Sequence, residues 1–214
     1  MAVQGINDFM TKIANRGGMS LTTGFDVEFA FPTLENGRER FYGGQYYNIS
    51  TDTKDVVTML CDEAQLPNVQ SGVAQVSGRF LGEGPIYYPH TRIYTDFSLG
   101  FLLDRDLTPL KFFNQWYEYI FSDNIATYDF DQTPEPNSTN RINRLRFPET
   151  YTCTARIKKT EPDKNAYNGH VPAMYLLENC YPYSIDSVPL AYGSSQVTRL
   201  TVNFYYTRHT VAYA

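Results

Sequence analysis

The sequence predicts a mainly β fold: an antiparallel β-sandwich or barrel of about seven strands with one packed α-helix, plus a short N-terminal helix. Three observations lead there. Several segments alternate apolar and polar residues with period two, the pattern of a strand with one face on a core; QVTRLTVNFYYT (Gln196–Thr207) does so most cleanly. Turn formers separate these segments with no regular strand–helix alternation, which disfavours a parallel βαβ sheet. Only one long segment carries helical spacing. At 214 residues the chain suits a single domain, 1–214, able to bury its own core.

In order along the chain, residues 1–18 read as a helical arm. Ile6, Phe9, Met10 and Ile13 recur at i, i+3, i+4 and i+7, one narrow apolar stripe. The NRGG run (Asn15–Gly18) ends it, because glycine past the last turn accepts the left-handed conformation. So short a helix is marginal alone and must dock on something. GFDVEFAFP then sets Phe25, Val27, Phe29 and Phe31 on one face and Asp26 and Glu28 on the other, a strand ended by Pro32. Residues 33–54 are polar and Gly-rich, a loop or hairpin excursion. DVVTMLCDEAQLP (Asp55–Pro67) reads as a strand through Val57, Met59 and Cys61. GVAQVSGRFLG alternates from Val73, and GEGPIYYPHTRIY (Gly82–Tyr94) reads as a loop punctuated by Pro and Gly. DFSLGFLLD is a strand with Phe97, Leu99 and Phe101 on one side. The long helix follows in LTPLKFFNQWYEYIF, with Thr108 as N-cap, Pro109 in the first helical position, and Leu110, Phe113, Trp116, Tyr117 and Ile120 as the buried stripe. Residues 122–147 are rich in turn formers, an exposed loop. Three strands close the chain: ETYTCTARIKKTE (Tyr151, Cys153, Ala155 and Ile157 inward), AMYLLENCYPYSI, and the alternating run of the opening, with Glu161–His170 connecting the first two as a hairpin.

Composition narrows the function. Aromatics reach 15%, with 18 Tyr and 14 Phe but one Trp, while charged residues are only 19%. Few charges with many tyrosines suit buried, amphipathic protein–protein surfaces. The net charge of −5 argues against a surface coated by nucleic acid. Cys61, Cys153 and Cys180 are far apart and form no C-x-x-C pair, so they read as small buried hydrophobes in a reducing compartment rather than a disulfide framework or zinc site. No apolar run approaches the ~18 residues of a membrane span and no secretory leader is seen, so the expectation is synthesis in a cytoplasm and no membrane contact. His90, His170 and His209 are singletons that read as solvent-facing loop residues, and no metal or cofactor is expected. Asp104 and Asp106 flank Arg105 before the helix; a capping role fits them better than paired catalytic carboxylates. Arg141, Arg144 and Arg146 form a modest basic cluster that suits salt bridges to an acidic neighbour. No catalytic motif is visible. Tyr87 and Tyr88 leave a carbohydrate-binding sandwich as a different class of function, since tyrosines stack on sugars.

The run YLLENCYPYSIDSVPLAYGSSQVTRLTVNFYYTRH resembles the closing signature of tail tube proteins of contractile-tail bacteriophages. There a strand enters a Gly/Asn-x-x-Pro turn and a final alternating strand closes in aromatics. Asn179, Pro182, Ile185, Val188, Leu190 and Val197–Tyr206 occupy those places. Upstream, Ala64-Gln65-Leu66-Pro67 is similar to the family's A-x-L-P element, and DFSLGFLLDRDLTPLKFFNQWYEYI to its central strand, acidic turn and helix, with Phe113 and Trp116 as F-x-x-W. The likeness spans roughly Gly24–Thr33 and Asp55–His209. It implies a tail-tube-like domain that forms stacked hexameric rings around a lumen conducting DNA without specific binding, enclosed by sheath and joined to baseplate proteins. It implies a virion tail assembled in the host cytoplasm, and no enzymatic role. The INDFMTKI start resembles the baseplate tail tube initiator, the alternative ring of the same fold. Under the resemblance, ring or stacking contacts fall to Phe9, Met10, Ile13, Tyr42, Tyr46, Tyr47, Tyr87 and Tyr88. The lumen or inter-subunit sheet face falls to Arg199, Thr201, Asn203 and Tyr205.

Overall fold

The computed structural model describes residues 5–33, 51–78, 84–121, 145–162, 170–190, 193 and 197–213. The elements are α1 (Ile6–Asn15), β1 (Phe25–Ala30), α2 (Thr51–Met59), β2 (Cys61–Ala64), β3 (Val69–Val76), β4 (Ile86–Tyr94), β5 (Phe97–Leu102), α3 (Thr108–Phe121), α4 (Pro148–Tyr151), β6 (Cys153–Glu161), β7 (His170–Ile185), β8 (Arg199–Tyr205) and β9 (Arg208–Tyr213). One sheet of seven strands runs β1-β6-β7-β8-β5-β2, with β9 added beside β7; β3 and β4 form a separate ribbon. Every pairing is antiparallel.

β7 organises the sheet. One edge pairs with β6, while the other pairs first with β9 (Ala173–Glu178) and then with β8 (Tyr181–Ile185). The change of partner falls at Asn179, whose φ of 53° puts it in the left-handed region. Asparagine tolerates that region, and a residue there makes a bulge that re-aims the strand. The bulge is locked across the sheet: the Thr207 amide donates to the Glu178 carbonyl at 3.0 Å, and the Asn179 side chain donates to the Thr207 hydroxyl at 3.4 Å. The Asn-x-x-Pro element expected as a turn is therefore a kink within one long strand. The terminal RHTVAY segment, not expected as a strand, is β9.

The sheet folds over on itself. Phe29 of β1 and Phe204 of β8 lie three strand spacings apart in sheet order, which would be ~14 Å in a flat sheet. Their rings stack with centroids 5.8 Å apart. Helix α3 fills the remaining side of the core. Phe113 lies 4.8 Å from Phe101 and 5.8 Å from Phe204, and Trp116 lies 6.0 Å from Phe29. The Trp116 indole donates to the Tyr151 carbonyl at 2.9 Å, which ties α3 to the short α4. On α3 the buried residues are Pro109, Phe112, Phe113, Trp116, Tyr119 and Ile120. The expected stripe is thus rotated: Tyr117 faces out and Leu110 is half-buried, while Phe112 and Tyr119 point in. The inward residues expected for β5 and β6 (Phe97, Leu99, Phe101, Cys153, Ala155, Ile157) are all buried; Tyr151, expected inward on the same strand as Cys153, is buried too but lies in the helix α4, and the strand starts only at Cys153.

Two further expectations are corrected. The strand read through Val57 and Met59 is the helix α2, which begins at Thr51 inside the stretch read as an excursion, and the strand starts only at Cys61. Val57 is fully buried but Met59 is 83% exposed, as two positions 200° apart on a helix must be. The loop read at Gly82–Tyr94 is mostly β4. Pro89 is accommodated where the β3–β4 register slips by one residue, a bulge position that does not need its missing N–H.

Candidate assembly surfaces

The first surface is the outer face of β8. Leu200, Val202 and Phe204 are buried, so Arg199, Thr201, Asn203 and Tyr205 face away from the core as the alternation requires. Register decides what joins them. A bulge between Cys61 and Glu63 turns two successive carboxylates of β2 toward Arg199, which reaches Asp62 at 2.7 Å and Glu63 at 3.1 Å. Gly100 on β5 makes room: a Cβ there would lie 3.0 Å from the Glu63 Cβ and 3.1 Å from Asp62 Oδ1. Asn203 donates to Asp186 at 3.3 Å. Tyr205 stacks on Tyr183 at 4.0 Å between centroids, and the Tyr183 hydroxyl donates to Asp96 at 2.6 Å. The Asp96 carboxylate pushes the Tyr183 phenol up to about 12. Asp62 and Glu63 pair with Arg199, while Asp96 accepts from Tyr183 and Asp186 from Asn203, so this set of four carboxylates and one guanidinium is net acidic. Of its members the sequence reading found only those on β8. The others lie on neighbouring strands and come together through register alone.

The second surface is the ribbon β3–β4. The pairs Ala74↔Tyr88 and Gln75↔Tyr87 place the two tyrosines on opposite faces. They cannot form one stacking platform, which removes the basis of the sugar-binding reading. Val73 and Tyr87 expose apolar surface on one face, Tyr88 and Ile93 on the other, each between 45% and 61% exposed. A two-stranded ribbon is marginal alone, and one that is apolar on both faces has an unmet demand for contact.

The third surface is α1. None of its residues is buried; Ile6, Phe9 and Met10 are exposed and Ile13 is half-covered. Gly17 and Gly18 (φ 87° and 102°) close the helix in a Schellman motif, their amides donating to Ala14 and Ile13 carbonyls. Beyond them the chain is clasped by Glu161, whose carboxylate accepts from the Leu21 amide at 3.1 Å and from the Ser20 hydroxyl. Lys159 holds Glu161 at 2.6 Å and also donates to the Gly24 carbonyl at 3.0 Å. These donors, Lys159 first, keep the Glu161 carboxyl below its usual range. The arm is therefore anchored at its base and, among the described residues, unpartnered along its length. Tyr42, Tyr46, Tyr47, Arg141 and Arg144 lie outside the described residues.

The remaining residues singled out in the sequence have structural tasks. Asp104 accepts from the Thr108 amide and hydroxyl, both at 2.6 Å, and so closes the amino end of α3; Asp106 lies in the same turn. The hydrogen bond from Thr108 lowers the Asp104 carboxyl. Arg146 stacks over its own Tyr119 ring at 4.2 Å. All three histidines lie in strands, and His209 is buried, correcting the loop reading. No group of three or more His, Cys, Asp or Glu suited to a metal ion occurs among the described residues.

His209 sits at the root of the ribbon, its ring 5.1 Å from Tyr94, 5.7 Å from Tyr206 and 5.9 Å from Tyr175, with Nδ1 3.2 Å from the Tyr206 hydroxyl. Burial, and then the Arg92 cation, lower its pKa. The native state therefore favours the neutral imidazole, while the unfolded chain takes up a proton near pH ~6.5. This stabilisation is complete above that pH and declines as pH falls from it toward the lower native value. Carboxylates such as Asp104 and Glu161 act in a separate, more acidic window. Urea midpoints measured between about pH 7 and 5 should fall for the native chain and stay nearly level for His209→Gln; parallel curves for the two would place the titration elsewhere.

No curated protein sequence matches the chain. Solved structures do. A chain of the anti-feeding prophage baseplate superposes with a TM-score of 0.55 at 12% identity, over 91% of this chain and 95% of that one. A chain of the sheath–tube complex of an extracellular contractile injection system in its extended state gives 0.54 at 10%, over 95% and 97%. The tube-terminating cap of the anti-feeding prophage gives 0.51 at 13%, over 92% of each chain. At such identities the likeness is one of fold. The family profile described as phage tail tube protein matches residues 20–212, which takes in the ribbon and all of the sheet but its last residue, Tyr213, and leaves out α1. With that match over most of its length, the chain belongs to the phage tail tube protein family and is a structural component of the virion tail rather than an enzyme.

Proposed function

We propose that the chain is the subunit of stacked hexameric rings that form a contractile tail tube, with the acidic face of β8 toward a lumen that conducts DNA. The ribbon β3–β4 carries the reading: a two-stranded element apolar on both faces requires neighbours on both sides, and a stack of rings supplies them. Among the described residues, strands β1 and β2 end the hydrogen-bonded order of the main sheet, so each offers an edge that a neighbouring subunit in the ring can continue. Toward the lumen, four carboxylates against one guanidinium repel phosphate, so DNA passes without the contacts that would hold it. The sheath encloses the outer surface, the baseplate closes one end, and assembly takes place in the host cytoplasm.

The alternative position for the same fold is the ring that initiates the tube on the baseplate. The observation that favours it is α1, an amphipathic arm that lies outside the family match. Negative-stain microscopy of the purified chain over a concentration series separates the two. Long hollow tubes indicate the repeating subunit, single rings or assembly only on added baseplate indicate the initiator, and monomers under every condition overturn both. Removing residues 2–15 should leave circular dichroism and melting temperature nearly unchanged, because α1 buries nothing in its own domain, while raising the concentration needed for stacking roughly tenfold or more. Unfolding of the truncated chain would show that the arm belongs to the subunit core.

A further inference from the structure

The sequence reading treats the three cysteines as separate buried hydrophobes, but the sheet brings two of them together. Cys153, the first residue of β6, is the register partner of Cys180 on β7. The pairing depends on the bulge at Asn179: β6 advances two residues from Cys153 to Ala155 while β7 spans three from Leu177 to Cys180. Both thiols lie on the core face and both are almost fully buried; burial, and then the neighbouring Cys153, push the Cys180 thiol up. Cys61 is on β2, at the far end of the sheet order. Directly opposed residues of an antiparallel pair have Cα separations of ~4.5–5.5 Å, inside the ~4.4–6.8 Å range of disulfides.

We propose that Cys153 and Cys180 are a redox-closable pair, a dithiol where the subunit is made and an intrasubunit disulfide once peroxide or a comparable small oxidant reaches it. With hydrogen peroxide the balance is complete. The Cys153 sulfur attacks one peroxide oxygen, the O–O bond breaks, and the thiol proton leaves with the departing hydroxide as water, giving a sulfenic acid. The Cys180 sulfur then attacks that sulfur and displaces a second water. The two thiols lose two electrons and two protons, and the peroxide is reduced to two waters. Burial holds the Cys180 thiol protonated, so closure is slow and depends on opening of the β6 end. The bond staples β6 to β7 where β7 changes partner. That it closes in a particle outside the reducing cell rests on the tail tube reading; the bond itself does not.

The test uses the purified full chain, folded, with hydrogen peroxide as the probe, followed by denaturation in an alkylating reagent and peptide mapping without reductant. The expected result is an intact mass lower by about 2 Da, for two hydrogens, one linked peptide joining Cys153 to Cys180, and alkylation of Cys61 alone. The melting temperature should rise by roughly 5–10 °C and return on adding dithiothreitol. A Cys61→Ser variant should react identically. Three alkylated thiols after an exposure that oxidises a free dithiol, a link through Cys61, or Cys180 recovered only as a sulfinic acid would each overturn the proposal.

Discussion

Replacing Trp116 by alanine should lower the unfolding free energy of the isolated subunit by about 3–5 kcal/mol. The side chain is fully buried and packs against Phe29, Phe31 (4.8 Å), Phe112, Phe113 and Phe204. Removing it deletes the wall that α3 shares with both halves of the folded-over sheet, and the surrounding rings cannot close the space without leaving their edge-to-face arrangements. The Tyr151 carbonyl also loses its donor in a buried place, a penalty of about 1–3 kcal/mol that overlaps the cavity cost rather than adding to it. Against a typical total of about 5–15 kcal/mol, the variant should be marginal or unfolded at room temperature. Trp116→Phe separates the two effects: it keeps most of the ring contact and loses only the donor, so its loss should be near the smaller figure. Urea denaturation followed by far-ultraviolet circular dichroism measures both, at a concentration below assembly. A loss under about 1 kcal/mol for the alanine variant would mean that the surrounding rings close the space Trp116 leaves.

That core was largely legible in the sequence because period two needs no partner to be read. Leu200, Val202 and Phe204 had to share a face whatever lay opposite, and the same held for Phe97, Leu99 and Phe101. The misreadings arose where local pattern serves two structures. Val57, Met59 and Cys61 fit a strand as three alternate residues, yet the chain is helical through Met59 and a strand only from Cys61; the contact of Val57 with the core, which a sequence does not display, decides for the helix. Pro89, with Pro85 and the two glycines before it, marked a loop, although a proline at a bulge takes nothing from the ladder. His209 was placed outside because it stands as a singleton along the chain, while its real neighbours, Tyr94 and Tyr175, arrive from other strands. The acidic face shows the same limit, since Asp62, Glu63, Asp96 and Asp186 meet β8 only through registers that include two bulges. Function was readable earlier than the site, because a collinear order of motifs survives where contacts cannot be seen.

The ribbon offers the sharpest separation between folding and assembly. Val73→Asp on one face and Ile93→Asp on the other should each leave the subunit's melting temperature within a degree or two, because both side chains are about half exposed and touch no core. In a stack, each face meets a neighbour, and a carboxylate forced into an apolar contact without a partner costs several kcal/mol unless it takes up a proton. A penalty near 2.8 kcal/mol corresponds to about a hundredfold change in the concentration at which rings stack. Both variants should therefore fail to form tubes at concentrations where the native chain does so, read by negative-stain microscopy and sedimentation. The escape route supplies a further check: lowering the pH toward 4–5 neutralises the new carboxylate and should partly restore stacking, provided a native control stacks there too. If only one variant fails, the ribbon lies on a neighbour by a single face and the two-sided insertion is wrong. If neither fails, the exposed apolar residues of β3 and β4 have no part in the tube, and the stacking contacts belong to α1 or to the ring edges instead.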